Sequence, residues 1–226
     1  MSGQLVPTSR KESATIVPTG RKMQHQSLAA LRTKVAQRLA ALPPGDPVRV
    51  LDAYGGDGDI WRHVARLTDT PVEVTSIDQT ARRRTQLAVD NRRYLASADL
   101  SRFDVIDLDA WGFPAEQLAI VADQQYPGTI HYTACSMSIS LTSHAIIAAA
   151  GIPLDWLKTV TYLIHRRASQ VDQWLEFCSR LGFPDHVVAE TADGGARYAY
   201  GACGDLTHWT PARQTEADKL TTREVT

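Results

Sequence analysis

The stretch VRVLDAYGGDGDIW, residues 48–61, constrains the fold most. A β-branched apolar run passes directly into Gly55, Gly56 and Gly58, and a helical pattern opens at Asp59. That order is a strand, a tight turn and a helix, with glycine supplying positive φ or close backbone approach. The same alternation continues downstream. VEVTSID, LAVDN, FDVIDLD and GTIHYTA read as strands, and helical patterns fall at about 59–67, 80–86 and 114–124. Strands separated by helices of this size predict βαβ units and a parallel sheet covered on both faces. Upstream, Leu28, Leu31, Val35, Leu39 and Leu42 recur at spacings of three and four, one apolar stripe of a helix over about 25–42 that PPGDP ends. Downstream, residues 154–166 and 169–182 read as helices, and HVVAETADGGARYAYGA as two strands joined at ADGG. The fold class is α/β: a doubly wound, mostly parallel seven-stranded sheet with a C-terminal antiparallel hairpin.

A chain of 226 residues with 43% apolar composition suits one such domain with appendages. Residues 1–24 mix Ser, Thr, Pro, Gly and Lys/Arg without apolar periodicity and are expected to form a flexible basic arm. The domain covers 25–204, and 205–226 reads as a polar C-terminal tail. No apolar run approaches the roughly 20 residues of a membrane span, and the polar start lacks the core of a secretory signal, which predicts a cytoplasmic protein. Cys135, Cys178 and Cys203 form neither a disulfide framework nor a metal pair, and the seven histidines lack ligand spacing, so no metal is expected.

Ligand crevices of open α/β sheets lie at the carboxyl ends of the strands, where strand order reverses. Residues 54–58 sit at such an end. The stretch matches neither GxGxxG nor a P-loop, and Asp52, Asp57 and Asp59 would repel a phosphate. A cationic ligand suits these acids, while a plain strand-to-helix turn also accounts for the glycines. Asp78 ends the second strand about 20 residues beyond the turn, where a carboxylate commonly accepts from ribose hydroxyls. Asp90 follows at the end of LAVDN, within reach of an exocyclic amine. A neutral adenosine with a positively charged tail, S-adenosylmethionine, satisfies this set.

VLDAYGGDG, IDQ, VDN and FDVIDLDAWGFP together resemble the motifs of class I S-adenosylmethionine-dependent methyltransferases, over about residues 25–204. The resemblance implies that Asp52, Gly56 and Gly58 line the methionine side, with Tyr54 standing where many members carry glycine. It also implies that Asp78 binds the ribose and Asp90 the adenine, and it places Asp107 in the cofactor-binding set. DVIDLDAWGFP is similar to the D-P-F-G motif of tRNA guanine N2-methyltransferases, with Ala110 in place of proline. By that likeness Asp109 is the catalytic acceptor and Trp111 the stacking platform. A carboxylate beside a flat ring can accept from an exocyclic amino group while the ring stacks on the base. Cys135 in HYTACS could instead be the nucleophile of a pyrimidine C5 methyltransferase, but the Pro-Cys loop of that chemistry is missing.

Lys plus Arg number 24 against 25 Asp plus Glu, so bulk charge does not announce a polyanion partner. Local runs do occur: Arg82, Arg83 and Arg84, then Arg92 and Arg93, then Arg166 and Arg167. Such clusters could neutralise phosphates. The expected function is methyl transfer from S-adenosylmethionine to an exocyclic amino group of a nucleic acid base, RNA ahead of DNA. A catalytically inactive binding or scaffold protein of the same fold, or a small-molecule methyltransferase, are the alternatives. The sequence leaves the oligomeric state open.

Overall fold

The computed structural model describes residues 27–80, 83–110, 114–135, 177–183, 186–193 and 196–225. The arm over 1–24 lies outside them, as do residues 154–166 and most of 169–182; residues 177–180 are helical. Seven strands form one sheet: β1 (Val48–Asp52), β2 (Val72–Asp78), β3 (Leu87–Ala88), β4 (Val105–Leu108), β5 (Thr129–Cys135), β6 (His186–Asp193) and β7 (Ala196–Gly204). Their order is β3-β2-β1-β4-β5-β7-β6, parallel from β3 through β5, with β7 antiparallel to both neighbours. This is the doubly wound sheet with a terminal hairpin that the sequence pattern requires. The order reverses between β1 and β4, which puts the switch point at the ends of those strands.

Helices α1 (Leu28–Ala40) and α2 (Asp59–Leu67) cover one face, α3 (Asn91–Ser97) and α4 (Ala115–Asp123) the other. Alternation along the strands divides the core accordingly. Leu51, Ile77, Ile106, Leu108 and Ile130 pack with Leu95 of α3 and Leu118 of α4, whereas Val48, Val50 and Val105 pack with Val35 of α1 and with Trp61 and Val64 of α2. Ser27 caps α1 by accepting from the Ala30 amide at 3.2 Å. Gly58, at φ 66°, opens α2 in the left-handed conformation that the glycine provides. No helix among the described residues is long and apolar enough to cross a membrane.

Three elements differ from expectation. The helix foreseen at 80–86 is absent from the described part of that stretch: residues 83–86 form a turn, in which the Gln86 amide donates to the Arg83 carbonyl at 3.1 Å. The strand foreseen in LAVDN stops at Ala88, because Asp90 leaves the sheet to cap α3. The polar tail foreseen at 205–226 contains a helix, α5 (Pro211–Glu224), capped by Thr210 with Pro211 in its first turn.

The helix α5 docks without an apolar stripe. Ala217 meets Ala36 and Ala40 of α1, small residues that allow close approach. Arg213 donates to the carbonyls of Leu39 and Leu42 at 3.4 and 3.1 Å, closing the end of α1, and Arg32 of α1 donates to the Val225 carbonyl at 2.9 Å. Arg213→Ala is therefore expected to cost about 1–2 kcal/mol through loss of charge-assisted bonds. Urea unfolding checks this, and an unchanged midpoint would mean that α5 is held otherwise.

Candidate functional site

At the carboxyl edge of the sheet, strand register aligns Ser76 of β2 with Asp52 of β1, Asp52 with Asp107 of β4, and Asp107 with His131 of β5. All four are buried. Two carboxylates at adjacent central strand tips cannot stay ionised in an apolar interior without partners. The partners come from the helices above. Arg38 of α1 grips Asp107 with two bonds, Nε to Oδ2 and Nη2 to Oδ1, both at 2.7 Å. Trp61 Nε1 of α2 donates to the same Oδ2 at 2.7 Å. Burial opposes the Arg38 charge, but Asp107 outweighs it and the guanidinium pKa is raised. Asp107, expected in the cofactor-binding set, is fully enclosed by the protein's own donors and serves to dock α1 and α2.

Asp109 lies two residues further, at the mouth of the same edge. Lys34 Nζ sits 2.6 Å from its Oδ1 and 2.8 Å from its Oδ2, and the Thr133 hydroxyl donates to Oδ1. Burial would raise the Asp109 pKa, but Lys34 and Arg38 overcome it and hold the carboxyl below the usual range. It is ionised and already engaged. Lys34 also lies 5.2 Å from the centre of the Tyr200 ring. Trp111, expected as the stacking platform, lies outside the described residues, and so does the side chain of Cys135.

Asp52 is the third acid, and neither Lys34 nor Arg38 bonds to it. Burial first, and then the charges of Asp107 and Asp109, push its pKa up to about 8, against the pull of Arg38 and the Tyr54 amide. His131, the neighbour of Asp107 on β5, is fully buried, with neither ring nitrogen hydrogen-bonded among the described residues. Burial and then Arg38 hold the His131 pKa well below its ordinary value, so the imidazole is neutral.

The glycine turn forms the other half of the edge. Asp78 at the tip of β2 accepts from the Gly56 amide at 3.2 Å and the Thr80 amide at 3.0 Å, which ties the acid to the turn. The glycines also have an internal role. A Cβ on Gly55 would collide with the Ser76 hydroxyl, and one on Gly58 with the Arg83 guanidinium. Arg83 donates to Ser76 Oγ at 3.2 Å and to the Gly55 carbonyl at 3.4 Å, and Gln86 donates to Ser76 Oγ at 3.3 Å. Tyr54 packs against the core beside Asn91; burial pushes its pKa up to about 12.

Asp90 does not join this group as an open acceptor. It caps α3 through the Arg93 amide at 3.1 Å and bonds Gln79 at 3.2 Å and Arg92 at 3.3 Å. The Arg92 bond first, and then the Arg93 amide, bring its pKa down to about 2. Arg92 is shared with Glu116 at 3.3 Å, so of the basic runs Arg83 and Arg92 are committed within the chain, while Arg84 and Arg93 are exposed. Sequence reasoning missed Lys34, Arg38, Trp61, His131 and Thr133. A signal existed for the cations: two acids at period two inside an apolar strand demand buried partners, and Lys34 and Arg38 are one helical turn apart beside the apolar stripe of α1. Among the described residues no group of His, Cys, Asp or Glu could hold a metal ion.

No family model matches the chain, and no curated relative matches it. Among solved structures it is similar to a phosphoethanolamine N-methyltransferase from Haemonchus contortus in complex with S-adenosyl-L-methionine, at 13% identity and TM-score 0.42, over 76% of this chain and 51% of that one. It is similar at 14% identity and TM-score 0.46 to a candidate exported protein from Bordetella parapertussis, over 78% of this chain and 68% of that one. A candidate O-methyltransferase from Nostoc punctiforme gives 13% identity and TM-score 0.46, over 78% of this chain and 56% of that one. The chain thus spans 51% of the first of these proteins and 56% of the third. Strand order and register define the architecture independently of these likenesses.

Removing one member of the buried pair leaves the other charged and unpaired. Arg38→Met is expected to cost about 3–5 kcal/mol in urea unfolding, and adding Asp107→Leu should restore most of it. Asp52 sets a pH dependence. The unfolded chain loses this proton near about pH 4. The native state keeps it to about pH 8, so its stabilisation is complete below the lower value and is lost as pH rises between the two. Asp52→Asn should flatten the fall in melting temperature across that window, and an equal slope in both proteins would show that Asp52 is ionised in the native state.

Proposed function

We propose that the chain is a class I S-adenosylmethionine-dependent methyltransferase domain. The observation that carries the reading is the reversal of strand order between β1 and β4, with Asp78 held against the glycine turn on the adjoining tip. The residues present fit the cofactor on one side. Each Asp78 oxygen accepts one backbone N–H, which leaves lone pairs for two ribose hydroxyls. Asp52 is an acid that pairs with neither Lys34 nor Arg38, at the end where a cationic methionine portion would lie. Asp90 fits the adenine less well, being committed to α3 and Arg92.

When bound, the cofactor supplies an electrophilic methyl group on a sulfonium. The chain's contribution is placement. Ionised Asp109, fixed by Lys34 and Thr133, orients an acceptor amine through the lone pair that remains on Oδ2 and draws on its proton. The acceptor we infer is an exocyclic amine of a nucleic acid base, RNA ahead of DNA. The similarity of DVIDLDAWGFP to the tRNA guanine N2-methyltransferase motif supports it, together with exposed Arg84 and Arg93. A second reading, a cofactor-binding or scaffold protein without transfer, draws on one observation: both Asp109 oxygens already have donors.

Titration calorimetry with S-adenosylmethionine should give binding that Asp78→Ala weakens about tenfold to a hundredfold, the loss of hydrogen bonds to a charged group. Absence of heat would remove the cofactor from the reading. Labelled-methyl transfer to unmodified tRNA, DNA and metabolite pools then separates acceptors. Label in the metabolite pool alone would overturn the nucleic acid assignment, and binding without label would favour the scaffold.

A further inference from the structure

The row of strand tips at the switch point brings one more acid into contact range than the cations it pairs. Asp52 lies in register between Ser76 of β2 and Asp107 of β4, and the alternation that turns Val48 and Val50 toward α1 and α2 turns its side chain to the same face. The groups around it come from every neighbouring element. β4 and the residue following it supply the carboxylates of Asp107 and Asp109, and α1 supplies Lys34 and Arg38. From α2 comes the neutral indole of Trp61, whose N–H is donated to Asp107. From β2 comes the Ser76 hydroxyl, which accepts from Arg83 and Gln86. β5, one strand further, brings the neutral imidazole of His131. The Tyr54 amide of the glycine turn donates to the Asp52 carboxyl. Lys34 holds Asp109 at 2.6 Å and Arg38 holds Asp107 with two bonds of 2.7 Å, and no ion pair reaches Asp52 among the described residues. Asp52 is 5% exposed, and a further negative charge beside two others in weakly screening surroundings is unfavourable. The carboxyl therefore carries a proton; burial, and then the charges of Asp107 and Asp109, raise its pKa to about 8.

That proton stands where a third cation would complete the set. We propose that binding of the sulfonium cofactor is coupled to its loss: the positive charge arriving at the switch point replaces the proton, and Asp52 ionises beneath it. The inference rests on the reading of this edge as a cofactor site and adds the protonation state that the cofactor selects. Direct contact is not required, because in an enclosed site the attraction between unit charges extends beyond van der Waals range. The exchange conserves charge, one proton passing to solvent for each sulfonium bound. Once the methyl group has left, the thioether S-adenosylhomocysteine keeps the other groups of the cofactor but not the sulfonium charge, so Asp52 takes its proton back. Asp52 is thereby a specificity-determining group that separates methyl donor from spent product by charge. The sign of the pH dependence follows. Below about pH 8 the unliganded acid is protonated, so each bound cofactor must expel a proton and affinity rises with pH; above it the acid is already ionised and the dependence ends.

Titration calorimetry of the full chain at about pH 7 in two buffers of different ionisation enthalpy, phosphate and Tris, counts the protons released. About one proton per S-adenosylmethionine is expected. Roughly none is expected for Asp52→Asn, which keeps the shape of the protonated acid, or for S-adenosylhomocysteine on the unaltered chain. The ammonium and carboxylate that both ligands carry cancel in the second comparison. Affinity for S-adenosylmethionine should rise by up to about tenfold per pH unit below about pH 8, and that for S-adenosylhomocysteine by much less. Absence of heat with S-adenosylmethionine overturns the cofactor reading and this inference with it. Equal heats in the two buffers leave the cofactor reading standing and overturn the inference, as does undiminished proton release by Asp52→Asn or with S-adenosylhomocysteine. Circular dichroism checks the variant, and if it does not fold, the two ligands on the unaltered chain decide the question.

Discussion

The bidentate bond between Arg38 and Asp107 is the constraint on which the rest of this structure depends. Asp107 is a fully buried carboxylate on a central strand of a sheet covered on both faces, where an unpaired charge costs several kcal/mol. Arg38 and Trp61 resolve that cost from two different helices, so α1 and α2 are both fixed over the switch point by a single side chain. Apolar packing alone would hold these helices to the sheet but would leave their rotation and slide less defined. Directional bonds with 2.7 Å contacts specify both. Once α1 is so placed, Lys34, one turn earlier, necessarily reaches Asp109, and the small residues on its outer face receive α5.

Charge balance follows from the same geometry. Three acids, Asp52, Asp107 and Asp109, meet two cations, Lys34 and Arg38. Each cation takes one acid, and the remaining acid, Asp52, keeps its proton instead of its charge. With both ionised acids matched by a cation, the proton on Asp52 keeps this interior in charge balance, and losing it would leave one net negative charge. A positively charged group arriving at this edge would meet an acid able to ionise in response, whereas an anion would meet Lys34 and Arg38 already paired. The electrostatics thus agree with the argument made from Asp52, Asp57 and Asp59 against phosphate, but through a protonation equilibrium that the sequence does not reveal.

The strands, α2 and α4 were legible because each couples a periodic apolar pattern to a turn or cap signal: VRVLDA before three glycines, DIWRHVARL with Trp61 and Val64 on one side. Asp78 was legible for the same reason, as the last residue of a strand. What escaped were features decided by tertiary contact. Asp107 and Asp109 look alike in sequence, yet one is sealed and the other sits at the mouth, because only α1 determines which cation each receives. Asp90 reads as a strand end until the chain leaves the sheet after Ala88 and the carboxylate becomes a helix cap. The helix α5 was hidden because alanine contacts and arginine-to-carbonyl bonds leave no hydrophobic periodicity to read, although Thr210-Pro211 marked its start.

The short crossover after β2 links the candidate site to the β3 side of the sheet. With too few residues for a helix, the chain returns through a turn that carries Arg83 and Gln86 inward against the Ser76 hydroxyl and the glycine carbonyls. The turn thereby gains four side-chain bonds that pack its outer surface, and Gly55 and Gly58 are needed to admit them. The same economy of chain leaves β3 two residues long, so among the described residues most of β2 has no strand on that side. Rigidity at the glycine turn and the shortness of β3 are two results of one shortened connection. Lengthening it to extend β3 would withdraw Arg83 and Gln86 from the turn, so the two features must change together.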